Sequence, residues 1–427
     1  YIISYNINVI LKWRNVMCGF VGFVNFEKDI SNEKYILKSM NNTLFRRGPD
    51  EQGYYIDRNV ALAHKRLVVI DPEGGKQPMV EKYSFGTYVM IYNGQIYNTK
   101  ELKKVLLENN FELQGHSDTE ILLKSYIYYG NDVVKHLNSI FAFAIWDTQK
   151  NQIFLARDHL GVKPLFYTII DKTLVFSSEI KGLLEYPGVK KVLDSQGISE
   201  LFGIGPAHTP GLSVFKDIFE IKPAHFAIYN HSGLHLEQYW KLISKEHIDS
   251  LGQTCEHLKF LLNDSITKQL VSDVPLCTFL SGGLDSSIIT KFASDYYEAN
   301  LMPPLDTYSI DYVDNDKNFV KSDFQPNSDN FYIDLVQKNL KTNHHKIIID
   351  TPELADALED AMVARDVPGM ADIDSSLLLF CKNVKKEKTV ALTGECADEI
   401  FGGYPWFFRQ DALTSNTFPW SISLDER

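Results

Sequence analysis

Short runs of mostly apolar residues, separated by residues typical of turns, fill the first half of the chain. Runs of this kind and length predict β-strands, and they occur at 18–26, 53–57, 60–71, 86–94, 141–147, 152–158, 165–170 and 172–178. Apolar residues spaced three and four apart predict helices at 32–47, 99–110 and 117–130. A strand, turn, strand pattern at 220–240 ends this region with Ser232 and Gly233 at its turn. We expect stacked sheets with helices outside them.

The pattern changes after about residue 240, where we place a domain boundary. A helix predicted at 251–270 leads into an all-apolar strand at 274–280. Helices predicted at 286–299, 330–340 and 353–366 then alternate with strands at 305–311, 344–350 and 389–394. Such alternation is typical of a doubly wound parallel sheet with helices on both faces. The polar stretch 314–330 is predicted to be a surface loop.

Composition and charge disfavour several classes of protein. The chain has 427 residues, and 43 Lys and Arg against 55 Asp and Glu give a net charge of −12, which argues against nucleic acid as a partner. No run approaches ~18 apolar residues, and the first sixteen residues lack the features of a signal peptide, so we expect no membrane partner. The cysteines show no zinc or disulfide spacing, so we expect reduced thiols and a cytoplasmic location. They are Cys18, Cys255, Cys277, Cys381 and Cys396.

The sharpest local signal for chemistry is LSGGLDSS at 280–287, between a predicted strand and a predicted helix. Its two glycines allow the backbone to approach a ligand closely, and the N-terminus of the following helix attracts anions. The loop lacks the lysine of a Walker motif, and Asp285 suits a magnesium ion that bridges phosphates. The alternative is a surface turn before a capped helix, which the register of strand, loop and helix disfavours.

A second candidate is ALTGECADEIFGGY at 391–404, which follows the last predicted strand. Its Glu395, Asp398 and Glu399 would repel one another unless a cation lies among them. In isolation these acids are more typical of a helix N-terminus. Beside a phosphate-binding loop they favour a magnesium–nucleotide site.

Both loops resemble those of ATP pyrophosphatases of the asparagine synthetase type. Six motifs in the first half resemble the glutaminase domain of glutamine-hydrolysing asparagine synthetases: MCGFVGF, RRGPDEQGYY, AHKRLVVID, YNGQIYN, HSDTEILL and ARDHLGVKPLFY. The resemblance implies an α+β domain over 18–240, an αββα sandwich of the N-terminal nucleophile type. It also implies an α/β ATP pyrophosphatase domain over 241–427, incomplete at its C-terminus because the family usually continues to a catalytic lysine. Residues 1–17 would be a non-native or untranslated leader.

The resemblance assigns Cys18 as the nucleophile that attacks the side-chain amide of glutamine. Once Met17 and everything before it are removed, the α-amine of Cys18 would serve as its general base. Packing alone is the alternative, because cysteine is among the most buried residue types. Arg47 is expected to order the pocket rather than to react.

The resemblance also implies how glutamine is held. Asn93 and Gly94 would form the oxyanion hole. Arg66 would pair with the α-carboxylate, and Asp118 would take the α-amino group. Gln95 stands where the family often has glutamate, which puts glutamine affinity in doubt. The remaining expected contacts are Leu67, Val68, Val69 and Ile70.

In the second domain the resemblance implies that aspartate attacks the α-phosphate of ATP, giving β-aspartyl-AMP and pyrophosphate, and that ammonia then displaces AMP. Asp285 and Asp398 would hold Mg²⁺, and Glu395 would support the intermediate. The segment 365–376 would line the acceptor side. The residues expected to bind ATP are Leu280, Ser281, Gly282, Gly283, Asp285, Ser286, Ser287, Ile310, Thr393 and Gly394.

Alternatives remain open at this point. The acceptor could be another carboxylate, because the pyrophosphate loop does not identify what is adenylated. The chain could instead be a regulator that binds glutamine or a nucleotide without synthesis, although a sensor needs no nucleophile such as Cys18. The chain could also form a homodimer.

Overall fold

The computed structural model describes residues 17–204, 207–321 and 327–416. The expected leader before Met17 lies outside these ranges, and so does 322–326 of the predicted surface loop. In the described part of that loop the chain forms a short helix at Asn315–Asn318.

Strands and helices follow the two predicted patterns. Within the described residues the strands are β1 (Gly19–Val24), β2 (Glu51–Ile56), β3 (Val60–Arg66), β4 (Met79–Tyr83), β5 (Gly86–Ile96), β6 (Ser139–Asp147), β7 (Gln152–Arg157), β8 (Phe166–Ile170), β9 (Thr173–Ser177), β10 (Phe219–Glu220), β11 (His225–Asn230), β12 (Gly233–Gln238), β13 (Leu276–Phe279), β14 (Leu305–Tyr312), β15 (Thr342–Ile349) and β16 (Val390–Leu392). The α-helices in the same ranges are α1 (Lys34–Asn42), α2 (Thr99–Glu108), α3 (Asp118–Tyr129), α4 (Ile180–Leu183), α5 (Ser195–Ser199), α6 (Leu251–Gln269), α7 (Leu284–Ala299), α8 (Asn315–Asn318), α9 (Asp329–Asn339), α10 (Thr351–Asp356), α11 (Leu358–Arg365), α12 (Ala371–Val384), α13 (Ala397–Phe401) and α14 (Gln410–Thr414).

The first domain is a four-layer αββα sandwich. Its two six-stranded sheets have the orders β10-β8-β9-β1-β3-β2 and β12-β11-β7-β6-β5-β4, and their strands pair antiparallel. The sheets meet in a core that includes Phe20, Leu62, Ile91 and Leu155. Helices α1 and α4 cover the outer face of the first sheet, and α2 and α3 cover that of the second. The expected α+β sandwich is confirmed.

The burial of β1 on both faces explains its composition. Successive side chains of a strand point to opposite faces, so Phe20 packs between the sheets while Val21 packs against the helices outside. A strand buried on both sides is a continuous apolar run. The strand that follows Cys18 is therefore held rigidly at the centre of the domain.

The second domain is built on a parallel sheet with the order β15-β14-β13-β16. On one face Phe380 of α12 shares a core with Tyr308. On the other, Ala293 of α7 shares a core with Leu276. Helices therefore cover both faces, and the predicted doubly wound sheet is confirmed.

Some predicted elements differ in the structure. The strand predicted at 60–71 ends at Arg66. The Arg66 guanidinium donates to the three carbonyls of the segment 70–72, and these hydrogen bonds hold that segment in a loop rather than in an extended strand. The helix predicted at 353–366 is two helices, α10 and α11. Strand β4 and helix α12 have no counterpart among the predicted elements.

Candidate active site

Cys18 lies just before β1 and lines a cavity between the two domains. Its Sγ lies 3.5 Å from the carbonyl oxygen of Leu67, and Arg47 Nε donates to the Cys18 carbonyl oxygen at 3.0 Å. Gly19 allows this approach, because a Cβ there would lie 2.9 Å from Arg47 Cδ. A buried arginine thus fixes the backbone of the expected nucleophile.

Burial raises the pKa of the Cys18 thiol above its ordinary value. The hydrogen bond to the Leu67 carbonyl and three nearby cationic side chains oppose this rise without overcoming it. These side chains are Arg66, Arg47 and Lys163. Since the thiolate is the reactive form, Cys18 needs a base beside it.

Met17 is buried next to Cys18 and lines the same cavity. Its amide donates to the Arg47 carbonyl at 2.8 Å, and its Sδ accepts from Lys163 Nζ at 3.4 Å. While Met17 is attached, the nitrogen of Cys18 belongs to a peptide bond and cannot act as a base. The removal of residues 1–17 stays a prediction.

Asn93 and Gly94 lie in β5 and line the cavity that Cys18 lines. Asn93 is 2% exposed, and its Nδ2 is buried without a hydrogen-bond partner among the described residues. Buried donors are normally paired, so an unpaired one is suited to a ligand oxygen that binds there. This is the property that an oxyanion hole requires.

The backbone amide of Gly94 in β5 is the second predicted donor. The Tyr92 amide donates to Gln77 Oε1 at 2.6 Å and therefore points away from the neighbouring strand β6. The Ile96 amide donates to Asp118 Oδ2 at 3.2 Å and points the same way. Because amides two residues apart share a direction in a strand, the Gly94 amide between them also points away from β6. Asn93 and Gly94 remain the predicted oxyanion hole.

Arg66 is buried, and both terminal nitrogens of its guanidinium are engaged. Nη1 donates to Glu51 Oε2 and to the Pro72 carbonyl, both at 2.7 Å. Nη2 donates to the carbonyls of Ile70 at 3.2 Å and Asp71 at 2.7 Å. A substrate carboxylate would have to compete with Glu51, so the role of Arg66 stays a prediction.

Asp118 is the first residue of α3 and is buried. Its Oδ2 accepts from the Tyr92 hydroxyl at 3.0 Å and from the Ile96 amide at 3.2 Å. Burial raises the pKa of Asp118 to about 6, against these hydrogen bonds. A substrate ammonium beside Asp118 would favour its charged form, which fits the predicted role.

The other predicted glutamine contacts divide into two groups. Those that line the cavity are Leu67, Val69, Ile70 and Gln95. The Val68 amide instead donates to Asp50 Oδ2 at 2.9 Å. Gln95 Nε2 donates to the Val271 carbonyl of the second domain at 3.0 Å. A glutamate at 95 could not donate there, so the departure from the family's common residue serves a contact between domains.

The predicted pyrophosphate loop joins β13 to α7. Gly282 has φ +81°, and a Cβ there would lie 2.8 Å from α9. The hydroxyl oxygens of Ser281 and Ser286 lie 3.1 Å apart, and the Ser287 hydroxyl donates to the Gly283 carbonyl at 2.7 Å. Gly283 occupies the N-cap of α7. Because glycine has no capping side chain, the first amides of α7 can donate to an anion.

Gly394 brings the two predicted ATP loops together. A Cβ there would lie 2.9 Å from the Ser286 nitrogen and 3.0 Å from Asp285 Cβ. Burial and then the charge of Asp398 raise the pKa of Asp285. Among the described residues, no cluster of three or more His, Cys, Asp or Glu suits a metal. Two carboxylates still fit Mg²⁺, which commonly takes one or two from a protein and the rest of its ligands from phosphates and water.

The remaining acids of this loop are close to one another. Burial, followed by the charges of Glu399 and Asp398, raises the pKa of Glu395. Glu399 is 3% exposed and accepts from the Tyr404 hydroxyl at 3.4 Å. The other predicted nucleotide contacts are Leu280, which is buried, Ile310, which is half-buried, and Thr393, which lines the cavity.

The cavity, with a volume of about 200 Å³, lies between the two predicted sites. The first domain contributes Cys18 and Asn93 to its lining, and the second contributes Ala391 and Thr393. Thr393 directly precedes Gly394, which contacts the pyrophosphate loop. Residues of both predicted sites therefore line one cavity.

Several lining residues are absent from the predicted site. They are Gln77, Tyr92, Lys163, Cys381 and Lys388. The sequence carries a signal for two of them, because Tyr92 belongs to the motif YNGQIYN and Lys163 to the motif ARDHLGVKPLFY. The others reach the cavity only through the pairing of strands and the docking of the second domain.

Comparison with known proteins matches both halves of the chain. Residues 17–240 match the family model described as a glutamine amidotransferase domain, and residues 257–426 match the model described as asparagine synthase. Asparagine synthetase [glutamine-hydrolyzing] 3 of Bacillus subtilis (strain 168) is 50% identical over 411 residues, which are 96% of this chain and 67% of that protein. The chain belongs to the family of glutamine-hydrolysing asparagine synthetases.

More distant relatives of the same family are also found. Asparagine synthetase [glutamine-hydrolyzing] 1 of Bacillus subtilis is 32% identical over 91% of this chain and 59% of its own length. Among solved structures, a glutamine phosphoribosylpyrophosphate amidotransferase from B. subtilis aligns with a TM-score of 0.40 at 15% identity, over 91% of this chain and 97% of that one. The chain thus spans about three fifths to two thirds of the length of these asparagine synthetases.

Members of the glutamine-hydrolysing asparagine synthetases are ligases that use ATP and glutamine to amidate aspartate. Both of their domains occur in this chain. None of the helices in the described ranges has the length and apolar character needed to cross a membrane.

Proposed function

We propose that this chain hydrolyses glutamine at Cys18 and that the ammonia moves through the cavity to an activated aspartate beside Thr393. The observation that supports this best is the cavity itself, whose lining combines Cys18 and Asn93 of one domain with Thr393 of the other. Transfer through the cavity would shorten the exposure of ammonia to solvent, where it would be protonated and lose its nucleophilicity.

In the first domain, Cys18 with a free α-amine would attack the side-chain amide of glutamine and transfer its proton to that amine. Asn93 Nδ2 and the Gly94 amide would stabilise the tetrahedral oxyanion. Arg66 and Asp118 would hold the α-carboxylate and α-ammonium. Hydrolysis of the thioester by water would then give glutamate and regenerate the thiol, the ammonia having left in the first step.

In the second domain, the loop from Ser281 to Ser287 would hold the pyrophosphate of ATP, with Asp285 and Asp398 as ligands of Mg²⁺. Bound magnesium would neutralise charge on the phosphate oxygens. The β-carboxylate of aspartate would attack the α-phosphate, and pyrophosphate would leave. Ammonia would then attack the β-aspartyl-AMP carbonyl and release AMP. Glu395 would support that intermediate, and the segment 365–376 would line the acceptor side.

The cytoplasm is the location we propose. All five cysteines lie in the described residues and none is in a disulfide, which is usual in a reducing compartment. A homodimer remains a proposal without a contact to support it.

Isotope exchange tests the acceptor. Adenylate formation is reversible before ammonia arrives, so the protein with ATP and Mg²⁺ should exchange labelled pyrophosphate into ATP when aspartate is added. Glutamate, β-amino acids and sugar carboxylates are the comparison set. Exchange with one of these and none with aspartate would mean that the acceptor is a different carboxylate.

A further inference from the structure

A series of side chains with alternating charges connects the expected nucleophile, Cys18, to the second domain. Arg47 donates through Nε to the Cys18 carbonyl at 3.0 Å and through Nη1 to Glu179 Oε1 at 2.8 Å. Lys181 Nζ lies 2.7 Å from Glu179 Oε2 and 2.8 Å from Asp366 Oδ1. The Lys181 amide also donates to Asp366 Oδ2 at 3.2 Å. Each link is an ion pair or a charge-assisted hydrogen bond.

This series of charged side chains is largely shielded from water. The exposed fractions of the four side chains are 5% for Arg47, 13% for Glu179, 23% for Lys181 and 7% for Asp366. Burial opposes the charge of Glu179, but Arg47 and Lys181 outweigh it and lower its pKa. Burial raises the pKa of Asp366, so its negative charge depends on Lys181. Buried pairs resist solvent screening, so each of these groups is electrostatically coupled to its neighbours.

Asp366, the last group in this series of charges, lies in a tightly packed loop. Asp366 has φ +70° and directly follows α11. Its neighbour Arg365 forms a buried ion pair with Asp374, at 3.0 Å between Nη1 and Oδ2. A Cβ at Gly369 would overlap both side chains. This loop lies within the segment 365–376 that is proposed for the acceptor side.

We propose that Lys181 and Asp366 are positioning residues for Cys18, through which docking of the second domain sets the geometry of the nucleophile. Neither touches the cavity lining around Cys18; each acts through Glu179 and Arg47. The inference rests on the proposed role of Cys18. Arg47 holds the carbonyl of the residue that carries both the thiol and its base, so a loose Arg47 would misplace both groups. Misplacement of reacting groups by about 1 Å can cost as much as a hundredfold in rate.

The test is glutamine hydrolysis by protein that begins at Cys18, with rates expressed per reactive Cys18 thiol so that misfolded molecules do not count. Lys181→Met and Asp366→Asn should each lower kcat roughly tenfold and leave KM for glutamine within about twofold. The conservative Lys181→Arg should keep most of the rate. The matched control is Asp360→Asn, which removes two exposed ion pairs of Asp360: one between the domains, with Arg46 at 3.3 Å, and one with Lys382 at 2.9 Å. Neither pair includes Lys181, Glu179 or Arg47. This control should behave like the unsubstituted protein.

Each outcome decides one question. Unchanged kcat per thiol in both Lys181→Met and Asp366→Asn would overturn the inference. An equal loss in Asp360→Asn would also overturn it, because general loosening of the domains would then explain the effect. A rise in KM with kcat unchanged would assign these residues to glutamine binding instead and would overturn the inference. Absence of hydrolysis in the unsubstituted protein would contradict the proposed function itself and the inference with it.

Discussion

Arg66 in the first domain forms an ion pair with Glu51. Asp285 in the second domain lies instead near another acid, Asp398, and burial together with the charge of Asp398 raises the pKa of Asp285. The first site is assembled from paired groups and one unpaired amide donor, Asn93 Nδ2. The second concentrates carboxylates, and burial and neighbouring acids raise the pKa of Glu395 as well. The glutamine site is thus organised before its substrate arrives, and the ATP site needs a cation to become so.

Removal of the proposed nucleophile of the glutamine site should have the largest effect on activity. In protein that begins at Cys18, Cys18→Ala should reduce glutamine hydrolysis to background, because the proposed thioester forms on the Cys18 thiol. The control is Cys255→Ala, which replaces an exposed cysteine in α6. Glutamate release is the measurement. Protein that retains residues 1–17 should be equally inactive, and normal activity with Met17 attached would rule out the α-amine as base.

Asn93→Ala should cost roughly a hundredfold in kcat, the usual effect of deleting one oxyanion donor. Asn93→Asp should be at least as slow, because a carboxylate would face the developing negative charge. Steady-state kinetics with glutamine measures both. Asn109→Ala, at an exposed position after α2, should match the unsubstituted protein. A normal rate in Asn93→Ala would remove this residue from the oxyanion hole.

Asp285→Asn should stabilise the protein in the absence of ligand, because it removes a carboxylate from the crowded acids of the predicted ATP site. The pKa of Asp285 is raised in the folded protein, so the ionised carboxylate destabilises the fold. The stability that protonated Asp285 contributes is therefore lost as pH rises through its folded pKa. The variant should therefore melt about a degree or two higher without ligand, yet gain no stability from magnesium-ATP. Thermal unfolding with and without magnesium-ATP measures this.

A matched control lies on the same helix. Asp295 of α7 is exposed and pairs with Lys291, so Asp295→Asn should gain nothing without ligand and keep the shift that magnesium-ATP produces. A lower melting temperature for Asp285→Asn in the absence of ligand would show that the acids around it do not repel one another.

The sequence predicts the layers of this protein better than the contacts between them. A continuous apolar run identifies β1, and apolar residues three and four apart identify α7, because burial in a core selects apolar side chains such as those of Phe20 and Ala293. Gln95 is an example of a contact that the sequence does not predict. From the sequence, Gln95 is only a position where the family often has a charged glutamate, whereas in the structure its side chain donates a hydrogen bond to the Val271 carbonyl. Lys181 and Asp366 are 185 positions apart in the chain, and no local pattern pairs them. The cavity has the same origin, because both domains must dock to form it.

The smallest expected effect concerns a second contact between the domains. His116 Nε2 lies 3.0 Å from Asp273 Oδ2, and this hydrogen bond raises the pKa of His116 above its ordinary 6.5. Hydrogen bonds from the Asp71 amide and from His116 lower the pKa of Asp273 below 3.8. The stabilisation from His116 is complete below pH 6.5 and is lost as pH rises through its folded pKa. That from Asp273 is complete above pH 3.8 and is lost on acidification.

His116→Gln should therefore lower the melting temperature most in mildly acidic solution and least in alkaline solution. The side chain of His116 is 64% exposed, so water screens the pair and the difference should be only about a degree or two. Thermal unfolding of both proteins from mildly acidic to alkaline pH measures it, with His235→Gln as the control at an exposed histidine that is not at the domain contact. A difference that grows with pH would contradict the assignment, since only protonated His116 attracts both Asp71 and Asp273. A constant difference would mean that His116 acts as a neutral hydrogen-bond donor, and the contact would then hold the domains together independently of pH.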